Sequence, residues 1–346
     1  MTSPRISAVI NGLSINSVLH ADIVITDSTS ASNFQLTLGL PDALAVRDMP
    51  GHPDVSIAIT PDSNSPGAVI FEGVSDSLTF DPLRKLAALR GRDMSGPMRE
   101  TSPQNTFTNL TVSEIATLVA ARYGFIADVL PTSTFAGSYS HDGYNQMVLN
   151  GRSKFTNDWD LLAHLARLAQ YEVFLDGRTL VCRPLATLAR ERLSYDVKSF
   201  FNARFRREYP RPSQSFVVVK SWNSWLGKAL THSLDPYWVS ADGQPATSVA
   251  GPEASEIAIA PDLMPDDAER LAMAIARSLN DRELTMDVTM AGDVRLKPRD
   301  TMIITNAGTV FDREYLVRSI HRRYSASAGY QQFVRGTAAF SLAAGL

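Results

Sequence analysis

The sequence predicts an α+β protein that is mainly β, in which two antiparallel β units flank a small α/β unit. Residues 1–95 and 191–346 consist largely of short runs in which apolar and polar residues alternate, and turn-forming residues separate these runs. Residues 96–190 instead contain two segments with helical periodicity and well-marked helix starts. The order of β unit, α/β unit and β unit suggests a duplicated β domain that carries an insertion.

The first unit, residues 1–95, contains closely spaced strands. The run RISAVI ends at Asn11-Gly12, a dipeptide that favours a two-residue hairpin turn. The runs ADIVIT and NFQLTL are separated by a loop of Ser, Thr, Asp and Asn. DVSIAIT and AVIFEGVSDSLTF follow, with a turn rich in Pro, Asp, Ser and Asn between them and a glycine at Gly73. This spacing predicts an antiparallel barrel or sandwich.

The middle unit, residues 96–190, begins with a helix after Thr111. Thr111 and Glu114 have the three-residue spacing of a capping box, and Gly124 lies where a left-handed C-terminal cap belongs. One apolar face of this helix is predicted to contain Ile115, Leu118 and Val119.

A second helix is predicted to start near Thr156–Asp158 and to run directly into a hairpin. The apolar residues at helical spacing are Trp159, Leu162, Leu165, Ala166 and Ala169. YEVFLDGRTLVCRP then alternates across an Asp176-Gly177 turn, which is typical of a β-hairpin. The single cysteine, Cys182, lies in this hairpin, where we expect a buried and inert thiol.

The last unit, residues 191–346, returns to strands and includes one helix over residues 268–280. SFVVVKSW is rich in β-branched residues, and four further alternating runs lie between residues 282 and 342. Between them, Asp266 and Asp267 occupy the first turn of the predicted helix. Its apolar stripe comprises Ala268, Leu271, Ala272, Ile275 and Leu279.

Composition excludes several classes of protein. With 44% hydrophobic and 20% charged residues, the chain is globular rather than disordered. A net charge of -3 and a pI near 6.1 give no general attraction to nucleic acid or to anionic membranes. No apolar run is long enough to span a bilayer, and MTSPRISAVINGLSI does not resemble a signal peptide. We therefore expect a protein made in a reducing compartment, without membrane insertion.

A search for chemistry assigns no catalytic, cofactor-binding or metal-binding residues. The sequence has no dinucleotide-binding, P-loop, zincin or nucleophile-elbow motif. The histidines are scattered singly as His20, His52, His141, His164, His232 and His321. His141-Asp142, in the loop SHDGYN, is an adjacent pair that rarely forms a working dyad. The carboxylates expected in turns and caps are Asp176, Asp262, Asp266, Asp267 and Asp312.

The most concentrated charge lies in ARFRREYPR. Its arginines, Arg204, Arg206, Arg207 and Arg211, are interleaved with the aromatic residues Phe205 and Tyr209. Such a pattern can contact nucleic acid. In a chain of net charge -3 a solvated linker or a protein interface is the favoured interpretation.

The order of these blocks resembles the late control protein D family, the baseplate hub proteins of contractile-tailed phages, which are related to the hub part of type VI secretion spike proteins. The blocks that carry the resemblance are VIFEGVSDSLTFD with LRGRDMSGPMRET, FTNLT with the helix ending in YGF, NDWDLLAHLARLAQYEVFLDGRTLVCRP, and LKPRDTMIITNAGTVFDREYLVRSIHRRYSASAGYQQFVRG. Together they cover nearly the whole chain.

The resemblance implies a structural hub with no enzymatic activity and no cofactor. Residues 1–95 and 191–346 would be two β-barrels like the tail-tube subunit, and residues 96–190 would be an inserted α/β domain. Three chains would present six barrels as a pseudo-six-fold ring that joins the six-fold tail tube to the three-fold central spike. The implied partners are the tube or tube-initiator protein, the spike, wedge and other baseplate proteins, and the tape measure protein.

The resemblance also implies a location in the virion tail baseplate, after assembly in the bacterial cytoplasm. Because the sequence ends at SLAAGL, we expect any spike or lysin to be a separate protein. Three alternatives stay open: the hub of a domesticated phage-like injection particle, an adaptor near the baseplate centre, and a tail-associated cell-wall hydrolase.

Overall fold

We describe the fold from a computed structural model of the chain. It describes residues 4–27, 30–60, 67–103, 105–133, 135–139, 147–150, 155–184, 187–188, 190–208, 216–223, 227–234, 255–260, 263, 265, 268–269, 271–273, 275 and 284–338. These residues form one large sheet, three small sheets and a few short helices.

The N-terminal β unit contains seven strands and one short helix. They are β1 (Arg5–Ile10), β2 (Leu13–Ile15), β3 (Val18–Thr26), β4 (Asn33–Leu38), α1 (Asp42–Arg47), β5 (Asp54–Thr60), β6 (Ala68–Asp81) and β7 (Leu86–Asp93). Alternate side chains face one core, which includes Ile10, Ile57 and Leu89. The predicted turn is confirmed, since Asn11 and Gly12 have φ of 46° and 81° and join β1 to β2.

The middle unit contains three helices and two small sheets. Its elements are α2 (Gly96–Glu100), β8 (Thr106–Thr108), α3 (Val112–Arg122), β9 (Ile126–Val129), β10 (Ser138–Tyr139), β11 (Met147–Asn150), α4 (Asp158–Leu168), β12 (Glu172–Asp176) and β13 (Thr179–Arg183). One sheet has the order β10-β11-β8 and the other β12-β13-β9. The predicted β12–β13 hairpin is confirmed, and β9 adds to it as a parallel strand.

The two middle helices start where the sequence predicts. Thr111 and Glu114 form the capping box of α3, and the side chain of Asn157 caps α4. The predicted buried face of α3 is wrong at one position, since Leu118 is 51% exposed. The buried face is instead displaced toward small residues, which allow close packing, and comprises Ile115, Ala116, Val119 and Ala120.

The C-terminal β unit contains six strands around a third core. They are β14 (Arg192–Asp196), β15 (Asn202–Arg207), β19 (Leu284–Ala291), β20 (Thr301–Thr305), β21 (Glu314–Ser325) and β22 (Gly329–Ala338), with 3₁₀ turns at Val197–Ser199 and Thr309–Phe311. The core includes Met286, Tyr315 and Val334. The prediction of a purely antiparallel unit needs one correction, because β14 and β20 pair in parallel.

Three strands between β15 and β19 form a separate small unit. The predicted second β unit, residues 191–346, did not distinguish it. Strands β16 (Phe216–Asn223), β17 (Lys228–Leu234) and β18 (Ser255–Ile259) form a sheet of order β17-β16-β18. The described positions 268–269, 271–273 and 275 are helical, and Ala268 and Ala272 pack against Val217 and Val219. Positions 266, 267 and 279 of the predicted helix lie outside the described residues.

The two β units are parts of one 13-stranded sheet. Its order is β15-β19-β22-β21-β3-β4-β7-β6-β5-β1-β2, with β20 and β14 branching from β21. Strand β21 pairs with β20 through Glu314–Leu316 and with β3 through Ser319–Ser325. A register shift between Val317 and Ser319 lies where the partner changes. None of the described helices is long and apolar enough to cross a membrane.

We predict that Leu165→Asp unfolds the middle unit. Leu165 is 1% exposed in the core that α3 and α4 share. An unpaired carboxylate there should lower the free energy of unfolding by about 3 kcal/mol or more, measured by urea denaturation. Leu118→Asp is the control, since Leu118 is an exposed leucine on the neighbouring helix. Equal effects of the two substitutions would contradict the buried position of Leu165.

Candidate assembly surfaces

The seam, which we define as the pairing of Ser319–Ser325 in β21 with His20–Thr26 in β3, joins the two β units. On one face of the seam, Asp22 accepts a hydrogen bond from His321 at 2.6 Å and lies 3.4 Å from Arg323. At the end of the seam, Arg318 contacts the Asp27 carboxylate at 2.9 Å. These pairs link strands about 300 residues apart in sequence, which explains why no local motif predicted them.

A buried arginine, Arg299, connects the middle unit to both β units. Arg299 is 6% exposed, and its guanidinium donates a hydrogen bond to the main-chain carbonyl of Asp27 at 2.7 Å. It lies 3.7 Å from the Glu172 carboxylate and stacks 3.9 Å from the centre of the Phe174 ring. We call Arg299, Glu172 and Phe174 the anchor, because they belong to the C-terminal β unit and to the β12–β13 hairpin.

Burial shifts the protonation equilibria of the anchor. It lowers the pKa of Arg299, while the nearby carboxylates of Glu172 and Asp27 oppose that shift. Burial also raises the pKa of Glu172, and Arg299 opposes this change. The backbone of Arg299 has φ of 75°, which is uncommon for a residue with a side chain. The sequence offered no signal for this residue, since its partners come from distant strands.

The turn of the same hairpin rests on the N-terminal β unit. Arg178 pairs with Asp54 at 2.6 Å. Gly177 has a φ of 59°, a left-handed conformation that favours glycine, and it lies close to the Glu72 carboxylate. Asp176, predicted in a turn, lies 3.7 Å from Lys297. A cavity of about 170 Å³ remains where the three units meet, lined in part by Phe71, Trp159 and Arg322.

Several strand edges in the large sheet have no partner among the described residues, including those of β2 and β14 and the two longer edges on β15 and β6. Strand β15 pairs only with β19 and ends the sheet. Strand β6 pairs with β5 as far as Val74, and the Ser75 amide bonds to Pro53, but the remaining part, Ser77–Asp81, pairs only with β7. Unpaired edges of this length are sites where another chain can add a strand.

Arg204, Arg206 and Arg207 of the arginine cluster lie on β15 at one of these edges, so the interpretation as a solvated linker is wrong for this part of the cluster. Arg204 and Arg206 are exposed on β15, whereas Phe205 faces the core beside Phe311 and Tyr315. Arg206 pairs with Glu208 at 2.7 Å, and Arg204 has no ion-pair partner within the described part of the chain. Tyr209 and Arg211 lie outside the described residues.

A second exposed surface is apolar and belongs to the small sheet. Trp222, Ile257 and Ile259 are more than half exposed, on β16 and β18. Lys220 lies on the same face of β16. An exposed apolar face is a common feature of contact surfaces.

The residues that could carry chemistry are dispersed. Cys182 is buried and free, and burial raises the pKa of its thiol to about 11, which confirms the expected buried thiol. His164 is exposed and lies beside Phe155, as predicted for a rim residue. Asp312 accepts hydrogen bonds from the amides of Ala307 and Gly308, in a turn as expected. His141, Asp142 and Asp262 lie outside the described residues, and the described residues contain no group of three or more metal-ligating side chains.

The fold is that of phage tail proteins. The chain is similar to a tail protein from Neisseria meningitidis MC58, with 14% identity and a TM-score of 0.70 over 97% of this chain and 96% of that one. It is also similar to the 43 kDa tail protein of prophage MuSo2 from Shewanella oneidensis, with 15% identity and a TM-score of 0.72 over 96% and 98%.

A third similar structure is an Escherichia coli component of the type VI secretion system that itself resembles the T4 tail proteins gp27 and gp5. Its identity is 9% and its TM-score 0.58, over 96% of this chain and 77% of that chain. No family model and no curated protein matches the sequence.

We predict that Arg299→Met strongly destabilises the protein, whereas Lys297→Met does not. Loss of the buried guanidinium leaves Glu172 without its partner and should lower the free energy of unfolding by about 3 kcal/mol, measured by urea denaturation. Lys297 lies two residues away in an exposed pair and should change this free energy by less than about 1 kcal/mol. A small effect of Arg299→Met would show that the anchor does not hold the middle unit.

Proposed function

We propose that the chain is a structural baseplate hub of a phage contractile tail. The observation that supports this most directly is the joining of two β units into one sheet, in a fold that matches phage tail proteins over nearly the whole length of each chain. In this proposal residues 1–95 and 191–346 are two tube-like barrels, and residues 96–190 are an inserted domain. The small unit of β16–β18 is an addition to the second barrel.

The proposed number of barrels in each chain leads to a homotrimer. Two barrels per chain and three chains give six barrels, which match a six-fold tail tube on one side and a three-fold spike on the other. A permanent ring of this kind needs large interfaces, usually above about 2,000 Å². The free edges of β6 and β15 and the apolar face of the small sheet are suitable surfaces for such contacts. The partners are the tube or tube-initiator protein, the spike, and other baseplate proteins, in the virion tail.

A hub of a phage-like injection particle is the second candidate. It is favoured by the similarity to the type VI secretion component, which extends over 96% of this chain. Both candidates form the same ring and differ only in the particle that contains it. The neighbouring genes, such as those for a tape measure protein and a spike, would show which particle it is.

We predict three copies of the chain in the assembled particle. The expected result is a ring with a central channel and a pseudo-six-fold outline in a reconstruction of the particle. Mass measurement of the isolated hub complex should give three times the 37.8 kDa chain mass. A ring of six chains, or one chain per particle, would contradict the proposal.

We also predict that the hub works by holding neighbours in register, without catalysis. The double substitution His141→Ala with Asp142→Ala should leave particle assembly and infectivity within about twofold of the unsubstituted protein, because we assign no chemistry to this pair and substitutions away from a functional site are usually tolerated. Purified protein should not clear peptidoglycan in a zymogram. Normal assembly with lost infectivity, or clearing of peptidoglycan, would favour the alternative of a cell-wall hydrolase.

A further inference from the structure

The two β units repeat one strand order with matching irregularities. The order β3-β4-β7-β6-β5 of the first unit corresponds to β15-β19-β22-β21-β20 of the second. The long hairpins β6–β7 and β21–β22 both contain a register shift, between Ser75 and Ser77 and between Val317 and Ser319. In each hairpin a glycine lies opposite the shift, Gly91 in the first and Gly336 in the second.

Neighbouring contacts support the same correspondence. Ser75 donates its amide to the carbonyl of Pro53 at 2.9 Å, and Val317 donates to the carbonyl of Asp300 at the same distance. A Cβ atom at Gly91 would lie 2.7 Å from the ring of Phe34 on β4. At Gly336 it would lie 3.1 Å from the side chain of Met286 on β19, so Phe34 and Met286 are equivalent.

Two segments can now be matched residue by residue. Counting from the shifts, Ser77–Asp81 corresponds to Ser319–Arg323. On the outer strands, Ile23 pairs with Phe34 and Phe205 pairs with Met286, so Ile23 corresponds to Phe205. Asp22 then corresponds to Arg204.

The matched segments differ in one respect. Ser319–Arg323 pairs with Asp22–Thr26 at the seam, whereas Ser77–Asp81 and β15 each keep an edge that no described residue pairs. Leu78 is 36% exposed, while its counterpart at the seam, Ile320, is fully buried. Both halves of a second contact like the seam are therefore present in the chain, and the described residues do not join them.

We propose that Ser77–Asp81 of one copy pairs antiparallel with Arg204–Glu208 of the next copy, so that the seam is repeated between chains. This inference rests on the homotrimer proposed above and assigns its interface. In the register of the seam, Asp81 lies opposite Arg204, Thr79 opposite Arg206, and Phe80 opposite Phe205.

Charge favours this contact between copies. At the seam Arg323 on β21 lies 3.4 Å from Asp22 on β3. Between chains the signs are reversed, with Asp81 on β6 and Arg204 on β15. Asp22 and Arg323 already pair at the seam within each chain, so Asp81 and Arg204 are the matched charges that remain on edges that no described residue pairs. Opposite charges directly across a strand pair stabilise it, which favours Asp81 opposite Arg204.

Disulfide trapping in assembled tail particles tests the register. The full-length variant Thr79→Cys with Arg206→Cys should form covalent dimers and trimers of the hub on mild oxidation. The matched control, Ser77→Cys with Arg204→Cys, uses the same strands and face but separates the thiols by about 13 Å along the strand, beyond disulfide reach. The native Cys182 is buried and should not interfere. Cross-linking of the control without the matched pair would overturn the register.

Charge reversal tests the interaction itself. Arg204→Asp or Asp81→Arg alone should reduce incorporation of the hub into particles about tenfold, because like charges then meet across the contact. Both substitutions in one chain should restore incorporation to within about twofold. Asp81 also caps the β6–β7 turn through the amides of Leu83 and Arg84. Melting temperatures of both single variants therefore separate misfolding from lost contact, and only recovery in the double variant supports the proposal.

The copy number of the chain in particles distinguishes a wrong strand pairing from a wrong trimer. The proposed pairing would be overturned, and the trimer kept, if particles contain three copies but the matched pair forms no disulfide and the double variant does not recover. Particles with another copy number would overturn the trimer.

Discussion

Strand β21 keeps one partner, β22, along nearly all of its 12 residues, but on its other edge the partner changes half way. Glu314–Leu316 pairs with β20 in the C-terminal unit, and Ser319–Ser325 pairs with β3 in the N-terminal unit. Because buried backbone amides and carbonyls need partners, the two units cannot separate without losing this ladder. The register shift at Arg318 allows the change, and the side chain of Arg318 binds Asp27 at the same place. The relative orientation of the two units therefore follows from a single strand.

The anchor fixes the middle unit onto this frame. A buried ion pair adds little to net stability, since burying two charges costs about as much as their attraction returns. Its contribution is to orientation. Arg299 binds the Asp27 carbonyl at the end of β3, the Glu172 carboxylate on β12 and the ring of Phe174 on the same hairpin. Displacing the hairpin would leave the buried guanidinium of Arg299 without its carboxylate partner. Such a contact favours one arrangement of the three units over others.

Turns, helix caps and hairpins could be predicted from the sequence, whereas pairing between distant strands could not. The Asn11-Gly12 turn, the Thr111–Glu114 capping box and the β12–β13 hairpin depend on residues a few positions apart. The seam, the anchor and the parallel pairing of β14 with β20 join residues that are distant in sequence, so no periodicity reports them. The prediction that Leu118 is buried is wrong because an apolar pattern favours large residues, whereas the small residues Ala116 and Ala120 form part of the packed surface of α3. The arginine cluster was visible as charge, but its position on a sheet edge required the topology.

The same edges that suit assembly must avoid indiscriminate pairing in the free chain. Flat edges of this kind can join any other strand, and charges of one sign are a common protection. On the exposed side of β15, Arg206 is paired with Glu208, and Arg204 has no ion-pair partner among the described residues, so Arg204 gives this edge a positive charge. On β6, Asp76 is paired with Arg92, and the Asp81 carboxylate at the end of the free part lies 3.9 Å from Arg84. Contacts between two different surfaces form a closed ring only if the rotation between neighbours closes, and otherwise they form a filament. The seam fixes how the two units of one chain pair, so a repeat of the seam between chains would give the same rotation between neighbours in the proposed ring.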